Sequence, residues 1–523
     1  MGTLSSSYIF YTWILAGVFF AYYLLKDRHK LPLPPGPKSL PLIGNAFDLP
    51  SSHEYIKYTD WGNKYGDVVH VTALGKHIVI LNSTKACVDL LEQRSAIYSD
   101  RPSLPMIHEP TLMDGGWAFS TMRYSKRWKR HRRLFTHHLN PTAITQVFSE
   151  KQMSAARMLL RLLISNTNTL KKNLMYVSAN LLLGIAYGYT VQSGHDPIVE
   201  LAEETMAKLT NGFQPKYLVN VFPIMKYIPT WFPGAGWKRF AQYECRPLAH
   251  RLLNEPFNEA LEEMTRGKAS ASFIQQALTD RAEGRDPNAE EDIKQVAATM
   301  YAAGSDTTVA VLHALILQLI LHPEIQKRVH RELDSVLGSP DSPEFRLPIW
   351  DDRSRTPYLE ALIKEILRWN PAVGSGVPHA TMEEDEYRGW RIPKGSIIFP
   401  NAWGILRSEE YYKEPGIFKP ERFLGENPEA DPAVSGTFGF GRRICPGRLL
   451  AENTLWLESA CLLAAFTLSH AKYQDGKIID IRYATKAMAG FAAYRHPPDF
   501  PCSITPRSKN VERIIQEMDS ESL

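Results

Sequence analysis

The chain has 523 residues, room for three ordinary domains or one large one, and its 44% hydrophobic and 22% charged residues suit a globular body with a sizeable core and exclude general disorder. Sixty basic against 56 acidic side chains leave a formal charge of +4, too even a balance to point to nucleic acid as a partner. The five cysteines, Cys87, Cys245, Cys445, Cys461 and Cys502, have neither paired metal spacing nor the density of a disulfide-stapled domain, which puts the bulk of the chain in a reducing compartment.

Tyr8 to Leu25 is an uncharged run of 18 mostly apolar residues, close to the ~20 that cross a bilayer as a helix. Lys26, Arg28 and Lys30 follow at once, so the rest of the chain is expected on the cytosolic side. Residues 1–30 read as a membrane anchor with its basic flank. Residues 31–37 carry four prolines, Pro32, Pro34, Pro35 and Pro37, and read as a stiff spacer. Residues 38–510 read as one large body and 511–523 as a polar tail.

Within the body, Val68 to Ala73 and His77 to Leu81 are β-branched runs around Gly75, the pattern of a hairpin. From about Thr84 to Leu337 helical periodicity dominates, broken by proline-rich turns at Phe222 to Gly236. Glu290 to Leu321 is a long helical pattern, apolar on most turns, and such a helix belongs in the core. The last third mixes helix with short strands, for example Ile392 to Phe399, before a loop around Cys445 and an apolar helix from about Arg448 to Phe466. The fold class is mainly α with a minor β-sheet.

The strongest local signal is Phe438-Gly-Phe-Gly-Arg-Arg-Ile-Cys-Pro-Gly447. Gly439 and Gly441 let the backbone turn tightly, Gly447 keeps the first turn of the following helix free of bulk, and Cys445 stands just before that helix, where amide hydrogens lower a thiol's pKa. Ala303-Gly-Ser-Asp-Thr-Thr308 puts an acid and alcohols inside the apolar helix, costly unless they are satisfied or used. A threonine bonding back to its own helix is the plain alternative. Glu365-Ile-Leu-Arg368 pairs opposite charges on a helix that Pro371 ends; alone, that is an ordinary salt bridge. Trp128 and Arg132 lie one helical turn apart on one face.

Taken together, in order and with Pro420-Glu-Arg-Phe423, these segments resemble the cytochrome P450 family from the proline spacer onward. The resemblance implies the cytochrome P450 fold behind a single N-terminal transmembrane helix. It implies heme b with Cys445 as the axial thiolate ligand of its iron, in a loop shaped by Phe438, Gly441 and Gly447. Arg443, Trp128, Arg132 and His379 would hold the heme carboxylates, while a surface role or contact with an acidic redox partner suits Arg130 and Arg133. Glu365, Arg368 and Arg422 would form a buried structural network. Gly304 would leave room for O2, Thr307 would hydrogen-bond it and Asp306 would relay protons inward, because splitting the O–O bond needs protons at the outer oxygen.

The implied activity is an NADPH- and O2-dependent monooxygenase in the endoplasmic reticulum membrane. No nicotinamide or flavin fingerprint is evident in the sequence, so electrons are expected from NADPH-cytochrome P450 reductase, with cytochrome b5 as a second donor. Two rivals are a heme-thiolate isomerase or dehydratase that does not use O2, and a non-catalytic heme-binding membrane protein. The pocket segments implied are about Arg101 to Met122, Phe213 to Trp231, Ala303, Val373 to Val377 and the turn at Met488, with Met106, Met113 and Phe119 as further examples. They are mostly apolar and suit a lipophilic small molecule. The ending from Phe491 to Arg507 is similar to that of fungal biosynthetic members, which suggests a terpenoid or other specialised metabolite, with an indole-type or fatty substrate as alternatives. One departure stands out: Asn401-Ala-Trp-Gly-Ile-Leu-Arg-Ser408 replaces the family's frequent Ile-His-Arg-Asp, which bears on local loop bonding.

Overall fold

The computed structural model describes residues 31–165, 169–192, 196–214, 216–284, 289–481 and 495–518. The apolar run Tyr8 to Leu25 and Met488 lie outside these described residues. The main helices are α1 (Glu54–Tyr65), α2 (Lys126–His138), α3 (Ser149–Ser165), α4 (Leu170–Tyr187), α5 (Pro197–Asn211), α6 (Arg246–Thr265), α7 (Phe273–Ala282), α8 (Glu290–Leu321), α9 (Pro323–Leu337), α10 (Pro357–Trp369), α11 (Arg448–Ala465) and α12 (Lys509–Glu517). Polar caps start several of them: Ser125 accepts from the Trp128 amide at α2, and Asp196 from Ile198 and Val199 at α5.

Helix α8 is the axis of the molecule. It packs most extensively on α4 and also touches α2, α6, α7, α9, α10 and α11. Among the described residues it alone is long and apolar enough to cross a membrane, yet 67% of its most apolar window is buried, so it is a core helix, as its all-round apolar pattern predicts. Burial breaks at one place: Ala303 is exposed and Gly304 to Thr308 are half-buried, between fully buried turns on either side. An opening in the middle of a core helix marks an internal cavity.

The hairpin forms as read, with β1 (Val68–Ala73) paired to β2 (Lys76–Leu81) through Leu74 and Gly75, both at positive φ. The expected strand Ile392 to Phe399 is two strands. β5 (Trp390–Ile392) pairs with β4 (Asp385–Tyr387), while β6 (Ile397–Pro400) joins the main sheet. Pro393 offers no amide to a ladder, and Gly395 takes φ 77°, so the chain turns between them. The main sheet runs β1-β2-β6-β3, where β3 is His379–Ala380. β2 and β6 are parallel, with Ile78 opposite Ile397, and His379 lies opposite Ile398. This pairing ties the N-terminal hairpin to the segment that follows α10.

The chain leaves α11 directly into β7 (Phe466–His470), which pairs with β8 (Cys502–Pro506). The residues read as a polar tail begin inside α12, whose Val511 and Ile515 are buried and which packs on α3.

Candidate active site

The Cys445 loop is held from three sides. Gly441 has φ 59°, and a Cβ there would stand 2.0 Å from the Leu91 carbonyl oxygen, so no side chain fits. The Cys445 amide donates to Phe438 O at 2.8 Å, closing the loop. Thr437 donates to Leu367 O of α10 at 3.3 Å, and Phe440 is wholly buried. Cys445 is nonetheless accessible, because its side chain opens onto an internal cavity. The expected depression of this thiol is outweighed: burial pushes its pKa up, against the opposing pull of the Gly447 amide and Arg132. A neutral thiol is therefore favoured until a positive partner meets the sulfur.

The same cavity is lined by Trp128, Arg132, His379, Phe438, Arg443 and Gly447, by Ala303, Gly304 and Thr307 of α8, and by Val373 and Val377. Of the other pocket residues read from the sequence, Phe119 and Phe213 line it too. Met106 and Met113 do not: both are wholly buried in the hydrophobic core, the commoner use of methionine. Trp231, 79% accessible, stands on the outer surface.

Three guanidiniums gather at this cavity. Arg443 donates to Ser99 O and Met122 O, both at 2.8 Å, and lies 4.1 Å over the Trp128 ring. Arg132 shares the helical face of Trp128. The third, Arg101, was not singled out from sequence; it donates to Ser120 O, Val377 O and Pro378 O at 3.1, 2.8 and 2.7 Å. Two of its three partners lie 276 and 277 positions away, so no local signal could have found it. Burial pushes Arg443 down to about 8 and Arg101 down to about 9, and it lowers Arg132 as well. Arg130 does not reach the cavity: it pairs with Asp292 of α8 at 2.8 Å, where His131 also bonds at 2.9 Å. These bonds fix the rotation of α2, and so the direction of Trp128 and Arg132.

His379 Nδ1 bonds Tyr98 O at 2.8 Å. A carbonyl only accepts, so Nδ1 carries the proton and the neutral ring keeps Nε2 as its acceptor. Burial, with the nearby Arg101, holds this imidazole well below its ordinary range; it can donate to a carboxylate only once that carboxylate's charge favours the imidazolium.

On α8, Thr307 Oγ1 donates back to Ala303 O at 3.2 Å while facing the cavity. The plain helix bond and cavity exposure thus coexist. Asp306 does not line the cavity; its Oδ1 lies 3.0 Å from His496 Nε2. A Cβ on Gly304 would stand 3.0 Å from Leu182 Cδ1 of α4, so this glycine permits close helix packing as well as opening space. Behind the loop, Arg368 grips Glu365 through two bonds of 2.7 and 2.8 Å, and Arg422 Nε lies 3.1 Å from Glu365 Oε2. All three side chains are essentially inaccessible. Arg368 also bonds Leu406 O and Pro415 O, and the Lys419 amide donates to Glu365. The unusual 401–408 segment is held by stacking: Arg407 and Arg495 lie 3.0 and 3.9 Å over the Trp403 ring.

A bare sulfur in a largely apolar cavity, with buried cations at its wall, fits an apolar group that carries negative charge at its edge and a metal at its centre. Among the described residues none of Arg101, Arg132 and Arg443 has a carboxylate salt-bridge partner, although buried charges require compensation; the two carboxylates of a heme would answer that need, and Cys445 would offer a donor atom to its iron.

Residues 34–489 match the family model for cytochrome P450, and the chain belongs to that family. Its curated relatives include a cytochrome P450 monooxygenase of Armillaria gallica, 38% identical over 98% of this chain and 100% of the relative. Another is cytochrome P450 monooxygenase 208 of Postia placenta, 38% identical over 97% of this chain and 96% of the relative. A third is cytochrome P450 monooxygenase ple1 of Rhodocybe pseudopiperita, 38% identical over 96% and 95%. The protein is an oxidoreductase of the monooxygenase class; the family implies thiolate-ligated heme iron, O2 and an electron donor.

Proposed function

We propose that the protein oxidises a lipophilic small molecule, a terpenoid or other specialised metabolite, with electrons drawn from NADPH through a separate reductase in the endoplasmic reticulum membrane. The observation that carries this reading is the cavity itself. Cys445 and Thr307 line one space, and Ile107, Leu182, Ile185, Met206, Leu209 and Phe213 make its walls apolar. Such a lining takes an apolar skeleton and excludes bulk water.

In this reading Cys445 would supply the thiolate, and Arg101, Arg132, Arg443 and protonated His379 would bind the heme carboxylates. When bound, the heme lets one atom of O2 enter a C–H bond of the substrate while the other leaves as water, consuming two electrons and two protons. Thr307 Oγ1, freed from its bond to Ala303 O, would orient dioxygen and pass protons that Asp306 would supply. Leu182, packed on Gly304, and the facing apolar side chains orient the substrate by shape. The Glu365 network holds the loop that carries Cys445.

The test is turnover of candidate terpenes by membranes containing this chain and a reductase. Product must require both NADPH and O2. Thr307→Ala should lower product per NADPH by roughly the 10²-fold at the lower end of general acid–base effects. Product formed without either co-substrate would favour the isomerase reading, and wild-type yield from Thr307→Ala would remove the relay.

A further inference from the structure

His496 sits beside the middle of α8, with Nε2 3.0 Å from Asp306 Oδ1 and 13% of its side chain accessible. Asp306 faces it, away from the cavity, and the next residue, Thr307, faces the cavity. Imidazole and carboxylate thus meet beside α8, one residue before the hydroxyl that opens onto the cavity. The other charged or titratable groups nearby are His313 of α8, Lys171 and Lys172 of α4, Glu203 of α5 and Asp499 of the same stretch as His496. His313, stacked on Phe500 at 4.6 Å, is pushed down to about 4 by burial, so it stays neutral and does not compete as a donor. Lys171 lies toward Asp499, at 4.0 Å.

A carboxylate near neutral pH holds no proton to give, whereas an imidazole titrates between about pH 5 and 8. We propose that His496 is the residue that recharges Asp306 with protons during turnover. It touches neither substrate nor the reacting atoms; it is a positioning residue that acts through Asp306. The step moves no electrons: the Nε2–H bond breaks, an O–H bond forms on Asp306, and water reprotonates the imidazole. The proposal rests on the monooxygenase reading above and adds one residue to its proton path, beside an Asp306 whose own side chain is 35% accessible.

The experiment compares wild type with His496→Gln, reading product per NADPH between about pH 5 and 8. Wild-type coupling should fall as pH rises through the imidazole titration. His496→Gln should be about 10-fold less coupled at the acid end, less than a direct general acid contributes, with a flat profile, and should add nothing in an Asp306→Asn background. Independently of activity, the His496 titration followed by NMR in ¹³C-histidine-labelled protein should move to lower pH in Asp306→Asn, because a carboxylate stabilises the imidazolium. A flat wild-type profile, a wild-type profile in His496→Gln with an unchanged reduced carbon-monoxide spectrum, or an unmoved titration each overturns the proposal. Should His496→Gln fail to hold heme, the wild-type profile and the NMR titration decide. Absence of NADPH- and O2-dependent product in wild type would instead refute the monooxygenase reading.

Discussion

Each charged side chain at the cavity carries a problem that another group must solve. Arg101 and Arg443 hydrogen-bond only carbonyl oxygens, so in the proposed cradle loss of either should weaken the hold on a heme carboxylate by about 1.5–3 kcal/mol, the worth of a charge-assisted bond. Arg101→Leu should therefore release heme to a scavenging apoprotein roughly 10-fold faster than wild type, measured by the Soret change; an unaltered rate would remove Arg101 from the cradle. Glu458 of α11 poses the opposite problem, since burial pushes its carboxyl up to about 8. The folded state thus holds a proton that the unfolded chain gives up above its ordinary range near 4.5. Its contribution therefore favours folding least at high pH, with stability lost as pH rises through that window. Glu458→Gln should flatten this dependence and raise stability by a few kcal/mol near pH 8, read from denaturant midpoints. Residues inside one short motif, Phe438 to Gly447, were legible in the sequence because the loop's geometry is local. Arg101 and His496 were not, because their partners are set by distant segments meeting around α8.

Helices and loops transmit these local demands. Helix α10 and the segment around Lys419 and Arg422 are joined through Glu365, and removing its charge leaves Arg368 buried without an anion while Arg422 keeps only Glu429. Glu365→Gln should cost about 3–5 kcal/mol, the usual penalty for breaking a buried pair, lowering the unfolding midpoint and heme content together. A change under 1 kcal/mol would contradict the network. Helix α8 was legible as a core helix because its apolar residues cover every face. The split of the expected strand Ile392 to Phe399 was hidden because periodicity cannot show which sheet each half joins, although Pro393 and Gly395 marked the break. Met106 and Met113 show a similar limit: an apolar residue in a pocket-bearing segment faces either cavity or core, and only packing decides.

At the scale of the whole molecule, the described helices and small sheets surround the cavity onto which Cys445 opens, and the N-terminal run of 18 mostly apolar residues is proposed to tether them. Removing residues 1–30 should move the protein from the membrane fraction while leaving its heme spectrum unchanged, checked by flotation; continued tight binding would locate the attachment elsewhere. The class of chemistry was readable because it depends on a few short motifs. The substrate was not, since the walls come from the segment after Arg101, α4, α5, α8 and the chain after α10. The central claim is that Cys445 binds the iron. The most direct measurement is the reduced carbon-monoxide difference spectrum of heme-loaded wild type beside Cys445→His. The account predicts the red-shifted Soret band of a thiolate ligand in wild type and its loss, with folding retained, in the variant. Absence of that band in folded, heme-loaded wild type, or its persistence in Cys445→His, would contradict it.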